Sequence, residues 1–484
     1  MRNLTLLTDL YQLTMGYGFF RQKKHEEEVV FDLFFRKNAL ITYSIFAGLE
    51  QAMDYLLNWR FDDEDIEYLR SLHLFDEDFL SYLKNMKFTG DVYAVKEGTP
   101  VFPGEPILTV KAPLIQAQFA ETALLNIINH QTLIATKSSK ICRATAGKGV
   151  VMEFGLRRAQ GPDAGINGAR AAIIGGCAST SNVIAGQKFH VPVAGTMAHS
   201  WVMDYPTEYE AFRAYADAYP DNCLLLVDTY DTLRSGVPNA IKVFKELKAS
   251  GHKPRGIRLD SGDLAYLSKK ARKMLDDAGF PEAIICVSGD LEERSINSLL
   301  QQGAKIDSWG VGTKLITSED LPALGGVYKL AAVFDKDGKA TPKIKLSDNT
   351  AKITNPSFKR LYRLYDKENG MAIADLITLR EEEVDDSKPL TLFHPVETWK
   401  THEVENFRVE ELQQTIVKDG QLVYEFPALM EVQKYSKGEL AKFWEEYLRL
   451  DVPQLYKVDL SKKLHTLKID MIDGIRQGAK RGDR

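Results

Sequence analysis

Between about residues 140 and 314 the chain repeats one pattern: a short apolar run, a polar cluster, then an amphipathic stretch. The apolar runs fall at 150–154, 224–227, 256–259, 283–287 and 308–311. Strand-length runs separated by helical periodicity, in units of roughly 30 residues or fewer, fit strand-helix-strand crossovers, and crossovers of this kind place their strands parallel in one sheet. The intervening stretches carry helix punctuation. A Thr207/Glu210 capping box opens 207–219, and Gly251, Gly279 and Gly303 end 237–249, 263–278 and 291–302. The predicted class is α/β. Polar clusters at the same end of so many strands favour an irregular TIM-like α/β barrel over an open doubly wound sheet.

The flanks differ in texture. From 87 to 111, Gly90, Gly98, Pro100, Pro103, Gly104 and Pro106 punctuate short β runs in the manner of a meander, and 114–136 continues with helical spacing and no internal proline or glycine. After Val327 β-like runs return, with turns at 335–338 and 366–370, and the acidic run 381–386 reads as a solvated loop. The expected organisation is an N-terminal accessory domain at 1–139, a catalytic barrel at 140–345, and a C-terminal part at 346–484 that packs back on both. The accessory domain is then mixed α+β and discontinuous.

A chain of 484 residues exceeds what one small core supports. A net charge of −5 offers no general attraction for nucleic acid or an anionic membrane, so an anionic ligand needs locally placed cations. Cys142, Cys177, Cys223 and Cys286 have no CxxC spacing, which suggests neither a zinc site nor a disulfide framework. The first twenty residues lack a signal-peptide core, and no run is long and apolar enough to span a bilayer. A soluble, cytoplasmic protein is expected.

The chemistry concentrates after the strands. GTMAHS at 195–200 closes the apolar run 191–194 and presents His199 beside the hydroxyls of Thr196 and Ser200. Arg157 and Arg158 follow one strand and Arg258 sits within another, positions where an unpaired guanidinium is costly, so three arginines beside glycine turns point to an anionic substrate. Gly289, within SGD at 288–290, and Gly312, within GVGT at 310–313, lie in turns able to expose backbone N–H groups to phosphate. Neither turn is a Walker loop or a dinucleotide fingerprint. Asp260 and Asp290 suit ribose hydroxyls, or Mg²⁺ carried by a polyphosphate; helix capping accounts for such residues equally.

Six strings occur in one order: TDLYQLTM at 8–15, EFGLRRAQGPDAG at 153–165, GTMAHS, GIRLDSGDL at 256–264, SGDL at 288–291 and GVGTK at 310–314. Together they resemble the nicotinate phosphoribosyltransferase family, with the region beyond Lys314 matching by length and texture alone. The resemblance implies an enzyme that joins nicotinate to 5-phosphoribosyl 1-diphosphate, giving nicotinate mononucleotide and pyrophosphate in NAD salvage, with ATP as co-substrate. It implies an irregular barrel with a mixed accessory domain, and a homodimer whose subunits share active sites. It also implies that His199 is transiently phosphorylated by ATP, and Asp228, after the 224–227 strand, is the candidate for orienting its imidazole.

For nicotinate the resemblance points to Tyr11, Thr196 and Arg258. Arg258 would answer the ring carboxylate, Tyr11 would stack on the pyridine from the partner subunit, and Phe154 could supply the other face. Where the related nicotinamide enzyme has an aspartate, this chain has Ser181, which does not repel a carboxylate. For phosphoribosyl diphosphate the matching positions are Arg158, Asp260, Ser261, Gly289, Asp290, Gly312 and Thr313, with Mg²⁺ held mainly by substrate phosphates. The alternatives are a nicotinamide-using enzyme, a phosphate-sugar binding barrel without chemistry, and an unrelated barrel aldolase or isomerase, for which Lys314 is the one suitably placed lysine.

Overall fold

The computed structural model describes residues 3–38 and 40–481. The chain forms two compact units. One comprises Leu133–Pro322 with Ala428–Gln433, and the other Met1–Thr132, Ala323–Pro427 and Lys434–Arg484.

The Leu133–Pro322 unit is built on a six-stranded sheet in the spatial order Ser179–Thr180, Val150–Glu153, Ser308–Val311, Ile284–Gly289, Gly256–Leu259, Leu224–Leu226. Every pairing in it is parallel. Leu225, Leu226, Ile257, Leu259, Ile285, Val287, Trp309 and Val311 are fully buried, the near-continuous apolar character of a parallel sheet covered on both faces. Apart from Ser179–Thr180 and Leu224–Leu226, which lie at the two edges, each strand lies beside its neighbour in sequence, and Val150–Glu153 lies beside Ser308–Val311. A parallel bridge from Thr180 to Val193 adds one segment at the edge. Between that segment and Leu224–Leu226 no ladder is present among the described residues. The α/β class follows the predicted alternation, whereas backbone pairing does not join the two ends.

The helices start where their caps predict. Thr207 accepts the Glu210 N–H ahead of Glu208–Ala218, and Asp263 accepts the Tyr266 N–H ahead of Leu264–Asp277. The helix expected at 291–302 begins later, at Glu293, because Glu292 and Ser295 form its capping box. Helices Pro162–Ile174 and Val183–Phe189 and the strand Ser179–Thr180 have no counterpart in the sequence reading, since glycines at 161, 165, 168, 175 and 176 dilute the periodicity. The 191–194 run contributes a bridge rather than a strand, and His199 is the first residue of a short helix, His199–Met203, rather than part of an open turn.

The other unit contains an antiparallel seven-stranded sheet, in the order Ala340–Pro342, Gly326–Phe334, Glu28–Phe35, Leu108–Pro113, Asp91–Val95, Gln413–Lys418, Gln421–Leu422. Three N-terminal strands thus lie at the centre of one sheet, flanked on each side by two strands from the later part of the chain. Gly326–Phe334, inside the 140–345 segment by sequence, pairs with Glu28–Phe35, so its hydrogen bonds belong to this sheet. The 87–111 meander is interrupted. Asp91–Val95 and Leu108–Pro113 pair directly, while Pro100–Val101 turns away to Ser44–Ile45. The predicted helix at 114–136 divides into Leu114–Phe119 and Glu121–Ala144. Among the described residues no helix is long and apolar enough to cross a membrane.

A second sheet of this unit holds a fully buried ion pair. Arg363 Nε and Nη2 donate to Asp375 Oδ1 and Oδ2 at 2.8 and 2.6 Å, Nη2 also reaches Pro100 O at 2.8 Å, and Tyr456 Oη donates to Asp375 Oδ1 at 2.9 Å. Removing one partner strands a charge without solvent, so Asp375→Ala is expected to destabilise this unit by about 3–5 kcal/mol. Urea unfolding monitored by tryptophan fluorescence measures it; a change below about 1 kcal/mol contradicts the assignment.

Candidate active site

The strand ends of the parallel sheet are laced together by side chains. Asp228 Oδ2 accepts the Asp260 N–H at 2.8 Å and the Ser261 hydroxyl at 2.7 Å, and Ser288 Oγ donates to Asp260 Oδ1. Three consecutive strand ends are tied by this relay. Asp228 Oδ1 is buried with no partner.

His199 sits beside this relay. Its Nδ1 lies 3.1 Å from Thr229 Oγ1, and its Nε2 lies 3.8 Å from Asp260 Oδ2, beyond hydrogen-bond length. Asp228, expected to orient the imidazole, instead faces Asp260 and Ser261. The chain bends at Thr229, and this residue takes the place beside the histidine. The same contact links the segment after Val193 to the end of Leu224–Leu226, where the ladder is missing.

Arg258 extends from the middle of Gly256–Leu259. Its Nη1 donates to Thr196 Oγ1 at 2.8 Å, and its Nε is buried without an acceptor. A buried guanidinium edge with one donor unmatched is costly unless an anion completes it. Arg258 thus pairs with Thr196, and His199 lies beside Thr229 and Asp260.

The glycines shape the neighbouring surface. A Cβ on Gly310 would fall 2.5 Å from the Phe154 ring, so only glycine lets that ring lie across the strand. Gly289 has φ +114°, and a Cβ there would stand 2.8 Å from Asp260 O. Gly312 lies against Phe154 O and precedes Thr313, the first residue of the one-turn helix Thr313–Ile316. Asp290 is exposed.

The remaining candidates stand apart from this cluster or differ from expectation. Arg157 and Arg158 lie in the 3₁₀ turn Leu156–Arg158 and are exposed, so the desolvation argument holds for Arg258 and not for them. Ser181 is half-buried, and its N–H donates to Glu153 O. Tyr11 belongs to the other unit, 47% exposed on helix Leu10–Arg21. Burial, followed by the charges of Glu121 and Asp9, raises the pKa of its hydroxyl.

Three residues of the site were given no role by sequence. Thr229 and Ser288 lie in the DTYD and SGD clusters after their strands. Glu153 opens EFGLRR and is fully buried, accepting from Thr180 Oγ1 at 2.5 Å and from the Gly155 N–H. Burial raises its pKa while those two hydrogen bonds lower it. A carboxylate ending an apolar strand beside a glycine was the available signal.

Three family models cover most of the chain. The nicotinate phosphoribosyltransferase N-terminal domain matches residues 6–129, the nicotinate phosphoribosyltransferase family model 150–369, and the C-terminal domain 358–468. A nicotinate phosphoribosyltransferase of Bacillus subtilis is 50% identical over 477 residues, 98% of this chain and 96% of its own. The human nicotinate phosphoribosyltransferase is 33% identical over 519 residues, covering 96% and 95%. The crystal structure of human nicotinic acid phosphoribosyltransferase superposes with a TM-score of 0.85 at 30% identity, over 96% of this chain and 99% of that one. A nicotinate-nucleotide pyrophosphorylase from Pyrococcus furiosus shares the fold, with a TM-score of 0.69 at 22% identity over 91% and 96%. With matched models along its length and half its residues identical to a full-length relative, the chain belongs to the nicotinate phosphoribosyltransferase family.

Proposed function

We propose that the protein joins nicotinate to 5-phosphoribosyl 1-diphosphate, forming nicotinate mononucleotide and pyrophosphate in NAD salvage, with ATP hydrolysis coupled through phosphorylation of His199. The observation that carries this reading is Arg258, whose Nη1 is anchored on Thr196 at 2.8 Å while its buried Nε lacks an acceptor, one strand-end away from His199. A ring carboxylate is the anion that matches such an edge. Phe154, and Tyr11 from a partner subunit in a homodimer, would sandwich the pyridine. Ser181 leaves the carboxylate unopposed.

The chemistry asks little of an acid or base. The pyridine nitrogen already holds a free lone pair; it bonds to ribose C1 as the C1–O bond breaks and the electron pair departs on pyrophosphate. The protein's task is to hold the reactants in line. Gly289, Gly312 and Thr313 offer backbone N–H groups, Arg158 a mobile cation, and Asp260, Ser261 and Asp290 polar groups for ribose and diphosphate. Asp228 acts as the positioning residue, since it fixes both the Asp260 N–H and the Ser261 hydroxyl. Mg²⁺ enters as part of the diphosphate substrate, and Asp260 and Asp290 are the carboxylates suited to share it. No group of three or more potential ligand side chains lies together among the described residues.

For His199, donation of Nδ1–H to Thr229 Oγ1 leaves the lone pair on Nε2, the nitrogen with no short hydrogen bond. Nε2 attacks the γ-phosphorus of ATP, the bond to the bridging oxygen breaks, and ADP leaves. Water later returns the phosphoryl group as phosphate. The charge added to the imidazole is felt by Asp260 and, through it, by the strand-end relay. This reading treats the parallel sheet as an irregular barrel whose open seam is crossed by His199 and Thr229, and it places the enzyme in the cytoplasm.

The expected activity is pyrophosphate release from phosphoribosyl diphosphate with nicotinate, accelerated by ATP; equal or faster turnover with nicotinamide overturns the substrate assignment. His199→Asn is expected to abolish ATP turnover and labelling from γ-labelled ATP while the circular dichroism spectrum stays unchanged, and labelling that persists removes the phosphohistidine. Arg258→Ala should raise KM for nicotinate about tenfold to a hundredfold, matching the loss of a charge-assisted bond of about 1.5–3 kcal/mol. An unchanged KM places the carboxylate elsewhere.

A further inference from the structure

A cavity of about 950 Å³ is lined wholly by residues of the unit that lacks the parallel sheet. Its size suits a nucleotide-sized molecule. Six cationic side chains and three carboxylates line it. Two of the carboxylates are already matched: Asp32 Oδ2 lies 2.7 Å from Lys359 Nζ, and Glu397 Oε2 lies 3.2 Å from Lys400 Nζ.

What remains is an excess of positive charge. Arg36 and Lys37, on the loop after Glu28–Phe35, have no carboxylate partner among the described residues. Lys457 Nζ lies 3.1 Å from His402 Nε2, a contact that supplies no counter-charge. Lys468 is 3% exposed and donates to the neutral acceptors Asn355 Oδ1 and Pro395 O at 2.8 and 2.9 Å. Burial, followed by the charge of Lys359, pushes its ammonium down to about 8.

Against these cations stands one further carboxylate. Asp459, whose backbone lies in the ladder beside Leu376, lines the cavity and is 4% exposed. Burial raises its pKa, while the neighbouring His394, His402, Lys457 and Lys400 lower it. His402 Nδ1 is buried without a partner. A carboxylate facing a cationic cavity walled by Phe34, Val396, Leu455 and Tyr456 is complementary to a molecule with an anionic group, a hydrogen-bond donor and an apolar face.

We propose that this cavity is a second ligand site, which takes a phosphorylated small molecule of the nucleoside monophosphate class, with Arg36, Lys37 and Lys457 on the phosphate and Asp459 on an amino or hydroxyl donor. The site does not depend on the catalytic reading. The test is equilibrium dialysis of the full chain with labelled AMP, with adenosine and inorganic phosphate as competitors. AMP binding is expected to survive Arg258→Ala, and to weaken at least about tenfold in an Arg36→Ala/Lys457→Ala double variant whose activity without AMP is unchanged. Asp459→Asn, which keeps shape, should weaken AMP while leaving inorganic phosphate binding intact. Binding indifferent to the Arg36/Lys457 and Asp459 changes, loss of binding in Arg258→Ala, or no saturable binding at millimolar AMP overturns the proposal.

Discussion

The site depends on a relay of hydrogen bonds that runs across strand ends: the Asp260 N–H and Ser261 hydroxyl donate to Asp228, and the Ser288 hydroxyl donates to Asp260. Parallel strands deliver their last residues to one rim but leave the loops beyond it unpaired. A carboxylate that caps the next loop's N–H removes that freedom, and repeating the device sets several loops at once. Beside it, His199 meets Thr229 and lies 3.8 Å from Asp260, while Arg258 is held by Thr196. Loss of Asp228 would therefore free the loop that carries Asp260 and Ser261.

The other unit solves a different problem with a similar economy of contacts. Its sheets combine segments from both ends of the chain, and Arg363 with Asp375 fixes one such join, since the guanidinium also reaches Pro100 O and the carboxylate takes the Tyr456 hydroxyl. Phe443, its ring centroid 4.8 Å from the guanidinium carbon, closes the pair from solvent. A buried pair of this kind adds modest net stability but penalises any pairing that separates its members, which makes it a device for specificity of strand assembly. Tyr456 also lines the cationic cavity, so the join and the cavity share a wall.

Much of the parallel sheet was legible. The runs 256–259 and 308–311 are strands to the residue, and 150–154, 224–227 and 283–287 differ only at their ends, because apolar runs bounded by caps and glycines state their period locally. The short strand Ser179–Thr180 was not, as two residues carry no period and exist only because Val150–Glu153 lies alongside. Pro100–Val101 was misread for the same reason: its partner, Ser44–Ile45, is distant in sequence. Arg157 and Arg158 looked buried from the strand before them, yet the 3₁₀ turn swings both outward.

By itself the sequence determined that the central strands run parallel, that their polar ends hold arginine, aspartate, histidine and glycine turns, and that six ordered strings resemble one family. Those properties are local, carried by periodicity, caps and motif order. Only the tertiary structure decided that Thr229 rather than Asp228 meets His199, that Asp228 serves the neighbouring loop, and that Gly326–Phe334 joins the N-terminal strands. The physical reason is that side chains beyond a strand end point where the loop's bends carry them, and that backbone groups take whichever partner folding brings beside them, at any distance along the chain.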